Sequence, residues 1–128
     1  MEKKMTTIKN NRLLVVDDNR VFADVLCDIL KSKEVDATSC YAGEQAISLV
    51  KEDRYDYLLL DVLMPGMNGI KAMREIKTLS PETRVILMTG YSVDDEMRRE
   101  INEANVDVVY KPFEIGAIIN MLSGPVVG

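Results

Sequence analysis

The sequence predicts a single α/β domain, a five-stranded parallel sheet doubly wound in (βα)5 order, with helices on both faces as a three-layer sandwich. Three observations lead there. Short apolar runs alternate five times with stretches of helical periodicity. Three of the runs are continuously apolar, as strands covered on both faces must be. The 128-residue length is a common size for one domain with one substantial core.

The first strand is "RLLVV", residues 12–16. Val21, Phe22, Val25, Leu26, Ile29 and Leu30 then recur along one stripe, a pattern with a helical and no strand interpretation. "VDATSCY", 35–41, is the second strand, and its polarity suits a sheet edge. A helix follows over 43–53. "YLLL", 57–60, is the third strand. After it, Pro65 and Gly66 suit the central positions of a type II turn, and Asn68 is placed to cap a helix over 69–79. "RVILM", 84–88, a helix over 93–104, "VDVVY", 106–110, and a helix over 114–122 complete the pattern, the last stopped by "SGP" at 123–125. Residues 1–11 are polar, lack the apolar segment of a secretory signal and read as a loose arm. The domain is then 12–122, with 123–128 as a short tail.

Hydrophobic residues make up 47% and charged residues 29% of the chain, a globular balance. No apolar run approaches the roughly 20 residues of a membrane span, so a cytoplasmic address is expected. The net charge of -5 argues against direct nucleic-acid binding, which needs clustered Lys and Arg. Histidine is absent, which removes the commonest general base, the usual transition-metal ligand and any phosphohistidine carrier role. Cys27 and Cys40 stand singly in apolar-patterned segments without CxxC spacing and read as buried, inert thiols. Met64, Met67, Met73 and Met88 read as core and loop filling.

In an open parallel sheet, ligands bind beyond the carboxyl ends of the strands. Strand one ends in Asp17 and Asp18, strand three in Asp61, strand four in Thr89 and strand five in Lys111. Each alone has a simpler role as a turn or helix cap. Together they would crowd three carboxylates, a hydroxyl and an ammonium into one pocket. Three carboxylates repel one another, and Lys111 supplies one positive charge. A hard divalent ion would supply the remainder; all-oxygen ligands point to Mg²⁺, with Mn²⁺ as a substitute.

"LLVVDDNR", "LLLDVLMPGMNG", "VILMTG" and "VVYKPF", in this order, resemble the response-regulator receiver domain of two-component signalling, over roughly residues 12–122. The resemblance implies a flavodoxin-like fold and a phosphorylation-dependent switch rather than an enzyme with external turnover. Asp61 would be the phospho-acceptor, taking its phosphoryl group from a phosphohistidine on a sensor histidine kinase or phosphotransfer protein. Asp18, Asp61 and the backbone carbonyl of Leu63 would bind Mg²⁺, with Asp17 acting through water or a further contact. Lys111 and Thr89 would bond the phosphoryl oxygens, and the Lys111–Pro112 peptide bond would be cis. The output surface would lie on the fourth helix, fifth strand and fifth helix, read by a downstream protein or an effector domain.

Some positions depart from the family pattern. Val108 stands where receivers commonly carry a Tyr or Phe that swings in behind the threonine; Tyr110, two residues on, faces the same side of the strand. Its simpler role is a tyrosine packed against a helix. Ala104 and Asn105 replace the frequent Gly-Ala, which bears on the turn into strand five. Gly90 is small, as access to the phosphoryl group requires. Leu63 and Tyr91 flank the site as bulky groups, an arrangement that suits slow hydrolysis of the acyl phosphate. The alternative within the family is a phosphorylation-independent, receiver-like interaction module. A flavin-binding protein of the same topology is disfavoured by the carboxylates of "DDNRV", and an Asp-nucleophile phosphatase by leucine at 63, where a second acid is usual.

Overall fold

The computed structural model describes residues 12–90 and 94–123. In chain order it contains β1 (Arg12–Val16), α1 (Arg20–Ser32), β2 (Asp36–Cys40), α2 (Gly43–Glu52), β3 (Tyr57–Asp61), α3 (Gly69–Leu79), β4 (Arg84–Thr89), α4 (Asp95–Ala104), β5 (Asp107–Tyr110) and α5 (Ile115–Ser123). All strand pairs are parallel and the order is β2-β1-β3-β4-β5. The five-stranded doubly wound parallel sheet predicted from the alternation is therefore present, in the flavodoxin-like order that the resemblance implied, with β2 at an edge as its polarity suggested.

Side chains alternate across each strand, so the sheet divides the core in two. Leu14, Val16, Leu58, Leu60, Val85 and Leu87 pack against α2, α3 and α4. Leu13, Val15, Leu59, Ile86 and Met88 pack against α1 and α5. Strands β1, β3 and β4 are buried on both faces, which is why their sequences are apolar without alternation. Cys27 and Cys40 are free and buried among these groups, and burial pushes the Cys40 thiol up to about 11. Met64, Met73 and Met88 are core residues, and Met67 packs at its margin.

Helix α1 departs from the stripe read in the sequence. Its buried residues are Ala23, Leu26, Cys27 and Leu30, whereas Val21, Val25 and Ile29 are exposed. The apolar stripe is wider than the sheet can cover, so its outer half forms a surface. Other boundaries shift by a residue or two. Asp94 accepts a hydrogen bond from Met97 N at 2.8 Å, and as the N-cap it starts α4 at Asp95 rather than 93. Helix α2 ends at Glu52, with Asp53 as its C-cap. Helix α5 runs from Ile115 through Ser123, its carbonyls at Met121 and Leu122 taken by Arg84 and Tyr57 at 3.0 and 3.1 Å. The turn residues Gly124 and Pro125, the arm 1–11 and Tyr91 lie outside the described residues.

Among the described residues, two that are not glycine adopt left-handed backbone: Glu34, with φ 70°, and Asn105, with φ 56°. Asn105 is the C-cap of α4, and asparagine tolerates this region, so the turn into β5 forms without the Gly-Ala that the resemblance would lead one to expect. Glu34 follows the C-cap Lys33 of α1, where glycine is the residue without a Cβ penalty. Replacing Glu34 with Gly is expected to stabilise the fold by about 1 kcal/mol. Urea unfolding monitored by circular dichroism measures this; an unchanged or lowered midpoint contradicts it.

Candidate functional site

The register that pairs Val16 with Leu60 brings Asp17 and Asp61 together one step further on, at the carboxyl edge of β1 and β3. This is the point where the chain's crossovers diverge, β2 lying on one side of β1 and β3 on the other. Asp17, Asp18 and Asp61 each place a carboxylate oxygen within 4.8 Å of the others. Asp17 and Asp61 are buried, while Asp18 is exposed.

Lys111 reaches this cluster from the end of β5. Its Nζ donates to Asp17 Oδ2 at 2.6 Å and lies 3.5 Å from Asp61 Oδ1. The Lys111–Pro112 bond is cis, as the resemblance implied. The other oxygen of Asp17 accepts from the backbone N–H of Asn19 at 3.0 Å, and the Asn19 side chain in turn caps α1 by accepting from Phe22 N at 3.1 Å. Asp17 is thus a fixed anchor bonded through both oxygens. Thr89 is buried at the end of β4, and its hydroxyl donates to the Gly90 carbonyl at 3.2 Å.

The loop after Asp61 is shaped by two glycines. Gly66 has φ 83°, which fits the second central position of the turn begun by Pro65. Gly69 packs against the backbone: an added Cβ would collide with the Asp61 carbonyl oxygen and stand 2.7 Å from Val62 Cα. Gly69 N also donates to Val62 O at 2.8 Å, and Asn68 caps α3 by accepting from Lys71 N at 2.9 Å. The segment therefore folds back on Asp61 and leaves Leu63 exposed beside it.

Burial first, and then the neighbouring Asp17 carboxylate, push the Asp61 carboxyl up to about 6; Lys111 opposes the shift and Asp18 adds to it. One ammonium among three carboxylates leaves a negative excess, and the donors are all oxygen. This set fits a hard divalent cation, with Asp18 open to solvent to receive it.

Sequence reasoning located Asp17, Asp18, Asp61 and Lys111, which the fold brings together, and Thr89, whose hydroxyl is turned to Gly90. It missed Asn19, Gly69 and Phe22. Asn19 was legible as an N-cap directly after the acidic pair. Phe22 was absorbed into the core stripe, yet its ring lies 4.5 Å from Lys111 Nζ. Val108 packs on the α4 side of the sheet, and Tyr110, 47% exposed, is registered beside Thr89.

Fold and site together define a flavodoxin-like α/β domain whose reactive groups converge on one edge of its sheet. The family model for the response regulator receiver domain matches residues 13–123, and the chain belongs to that family. A response regulator receiver protein from Anaeromyxobacter sp. (strain Fw109-5) is 31% identical over 110 residues, 86% of this chain and 46% of that protein. Sporulation initiation phosphotransferase F from Bacillus subtilis (strain 168) is 30% identical over 109 residues, 85% of this chain and 88% of that one. The chain thus spans less than half of the first relative and most of the second. Among solved structures, it is similar to the receiver domain of the histidine kinase CKI1 from Arabidopsis thaliana complexed with Mg²⁺ and BeF₃⁻. The TM-score is 0.77 and the identity 28%, covering 92% of this chain and 93% of that one.

The raised Asp61 carboxyl has a consequence for stability. Its folded value near 6 exceeds the ordinary 3.8, so stability from the protonated form is present below about pH 4 and is lost as the pH rises through about 6. Asp61→Asn is expected to stabilise the metal-free protein at pH 7.5 by about 2 to 3 kcal/mol, and by little below pH 4. Chemical denaturation across pH measures the difference, and a gain independent of pH contradicts the assignment.

Proposed function

We propose that this receiver domain is a phosphorylation-dependent signalling switch in which Asp61 accepts a phosphoryl group from the phosphohistidine of a sensor histidine kinase or phosphotransfer protein. The supporting observation is the position of Lys111 Nζ, 2.6 Å from Asp17 and 3.5 Å from Asp61, within a cluster of three acids. An Asp61 carboxylate oxygen attacks phosphorus, the phosphorus–nitrogen bond breaks, and the electron pair leaves with the imidazole, which takes up a proton. An acyl phosphate results. Phosphoryl transfer depends chiefly on positioning and charge neutralisation, which here would fall to Lys111 and to the cation that the acidic cluster would hold. Asp18, Asp61 and the Leu63 backbone carbonyl would hold Mg²⁺, for which Mn²⁺ can substitute, with Asp17 behind them. Bound there, the ion supplies positive charge to the phosphoryl oxygens.

The new group adds about -1.5 to -2 charges. The Thr89 hydroxyl then exchanges the Gly90 carbonyl for a phosphoryl oxygen, and the change spreads to α4, β5 and α5, where a downstream protein or an effector domain reads it. Valine at 108 has no ring to move, and the aromatic side chain that β5 carries beside Thr89 in register is Tyr110. No helix of the described residues is long and apolar enough to cross a membrane, and a cytoplasmic location is part of the proposal. The chain acts on itself, through its own phosphorylation and dephosphorylation, rather than on an external substrate.

Incubation with Mg²⁺ and acetyl phosphate is expected to add one phosphoryl mass, read by intact-mass spectrometry, and Asp61→Asn to abolish the gain. No gain with any donor would instead identify a phosphorylation-independent interaction module. Leu63, exposed beside the acceptor, is expected to slow water's approach. Leu63→Ala should shorten the acyl-phosphate lifetime severalfold, on the order of 1 kcal/mol in barrier. A time course after donor removal checks this, and an unchanged decay sinks it.

A further inference from the structure

We propose that Phe22 is a positioning residue for Lys111, holding the ammonium toward Asp17 and Asp61 through the face of its ring; this rests on the phospho-acceptor reading of Asp61. Lysine carries a compact charge on a flexible four-carbon stem, and one ion pair at a water-accessible edge does not fix it. The Lys111 side chain is 28% exposed, yet its Nζ is met from three directions: Asp17 at 2.6 Å, Asp61 at 3.5 Å and the Phe22 ring centroid at 4.5 Å. An aromatic face attracts a cation at such a distance, and more strongly where water is displaced.

The placement of the ring is itself constrained. Asp17 accepts from Asn19 N, the Asn19 side chain accepts from Phe22 N, the Phe22 ring meets Lys111 Nζ, and Lys111 donates back to Asp17. The circuit closes on a single carboxylate. Phe113, two residues beyond Lys111, packs against the Phe22 ring at a centroid distance of 6.1 Å and an interplanar angle of 80°. Both rings line an apolar groove of about 340 Å³ with Val21, Val25, Leu26 and Ile29. During phosphoryl transfer Lys111 must turn from Asp61 toward the incoming oxygens while keeping Asp17. A ring contacting it from the third side opposes its escape into water throughout, so the contribution falls on the transfer rate rather than on Mg²⁺ affinity.

The test compares Phe22→Leu, which keeps apolar volume without a π-face, with Phe22→Tyr, which keeps both. Rates of phosphorylation by acetyl phosphate with Mg²⁺ are measured in each, alone and combined with Lys111→Met. Phe22→Leu is expected to slow the reaction about three- to tenfold. Phe22→Tyr should retain the rate, and Phe22→Leu should have no further effect once Lys111 is methionine. In the unsubstituted protein, NMR should show the Lys111 Cε protons shifted upfield by the ring. An unshifted Lys111 signal, an unaffected Phe22→Leu rate, or an equal loss in the Lys111→Met background would overturn the proposal while leaving Asp61 as acceptor. Absence of phosphorylation in the unsubstituted protein would overturn both.

Discussion

The ion pair between Lys111 and Asp17 ties the end of β5 to the end of β1, with β3 and β4 between them. Three strand spacings make a gap of about 14 Å, which only a long side chain and its connecting turn can close. Asp17 is 1% exposed, and such burial is costly for a carboxylate unless its charge is met. Lys111 meets it on one oxygen and the Asn19 amide on the other. Asp61 stands directly beside this pair and cannot share the edge with a second unneutralised acid. The geometry of the whole acidic cluster therefore depends on one ammonium arriving from the far side of the sheet.

That dependence is supportable because the strands themselves have little freedom. Leu58, Leu59 and Leu60 are fully buried, and their alternation commits β3 to both halves of the core. A slip of one residue would exchange every one of these contacts. Asp61 is thus delivered by a rigid element, and the Gly66 and Gly69 backbone folds the next loop against it. Precision at the site derives from the apolar sheet, and the polar groups exploit positions that packing has already determined.

Much of this was legible in the sequence because it follows from period and punctuation. Continuous apolar runs marked the central strands, a polar run marked the β2 edge, and Asn68 and the Pro65–Gly66 pair marked the entry to α3. The strand-end rule then assembled Asp17, Asp18, Asp61 and Lys111 from four separated segments. What escaped is set by tertiary geometry. No local pattern tells that Glu34 takes a left-handed conformation, or that Val21, Val25 and Ile29 overhang the sheet. Asp17 as a doubly bonded anchor, the Thr89 hydroxyl turned to Gly90 and Phe22 facing Lys111 depend on which side chains meet across the edge. The start of α4 shifted because Asp94 caps rather than continues the helix.

On the proposed reading, these constraints also indicate where a phosphoryl group can have an effect. Asp17 is bonded through both oxygens and stays fixed when charge is added at Asp61, while Lys111 keeps its bond to Asp17 as it turns toward that charge. The Thr89 hydroxyl is different, since its present partner is the neighbouring Gly90 carbonyl, a bond that a charged phosphoryl oxygen outcompetes. Thr89 leads toward α4, the least buried of the helices whose packing is described. Ile101 is its one buried residue, and the exposed Arg74–Glu100 pair at 2.8 Å links it to α3. Met97 and Ala104 pack against the core only part-buried, and an element with one fully buried side chain and a surface ion pair has a low cost of displacement. On that reading, a conformational response to charge at Asp61 would travel through β4 into α4, the least buried of the helices whose packing is described.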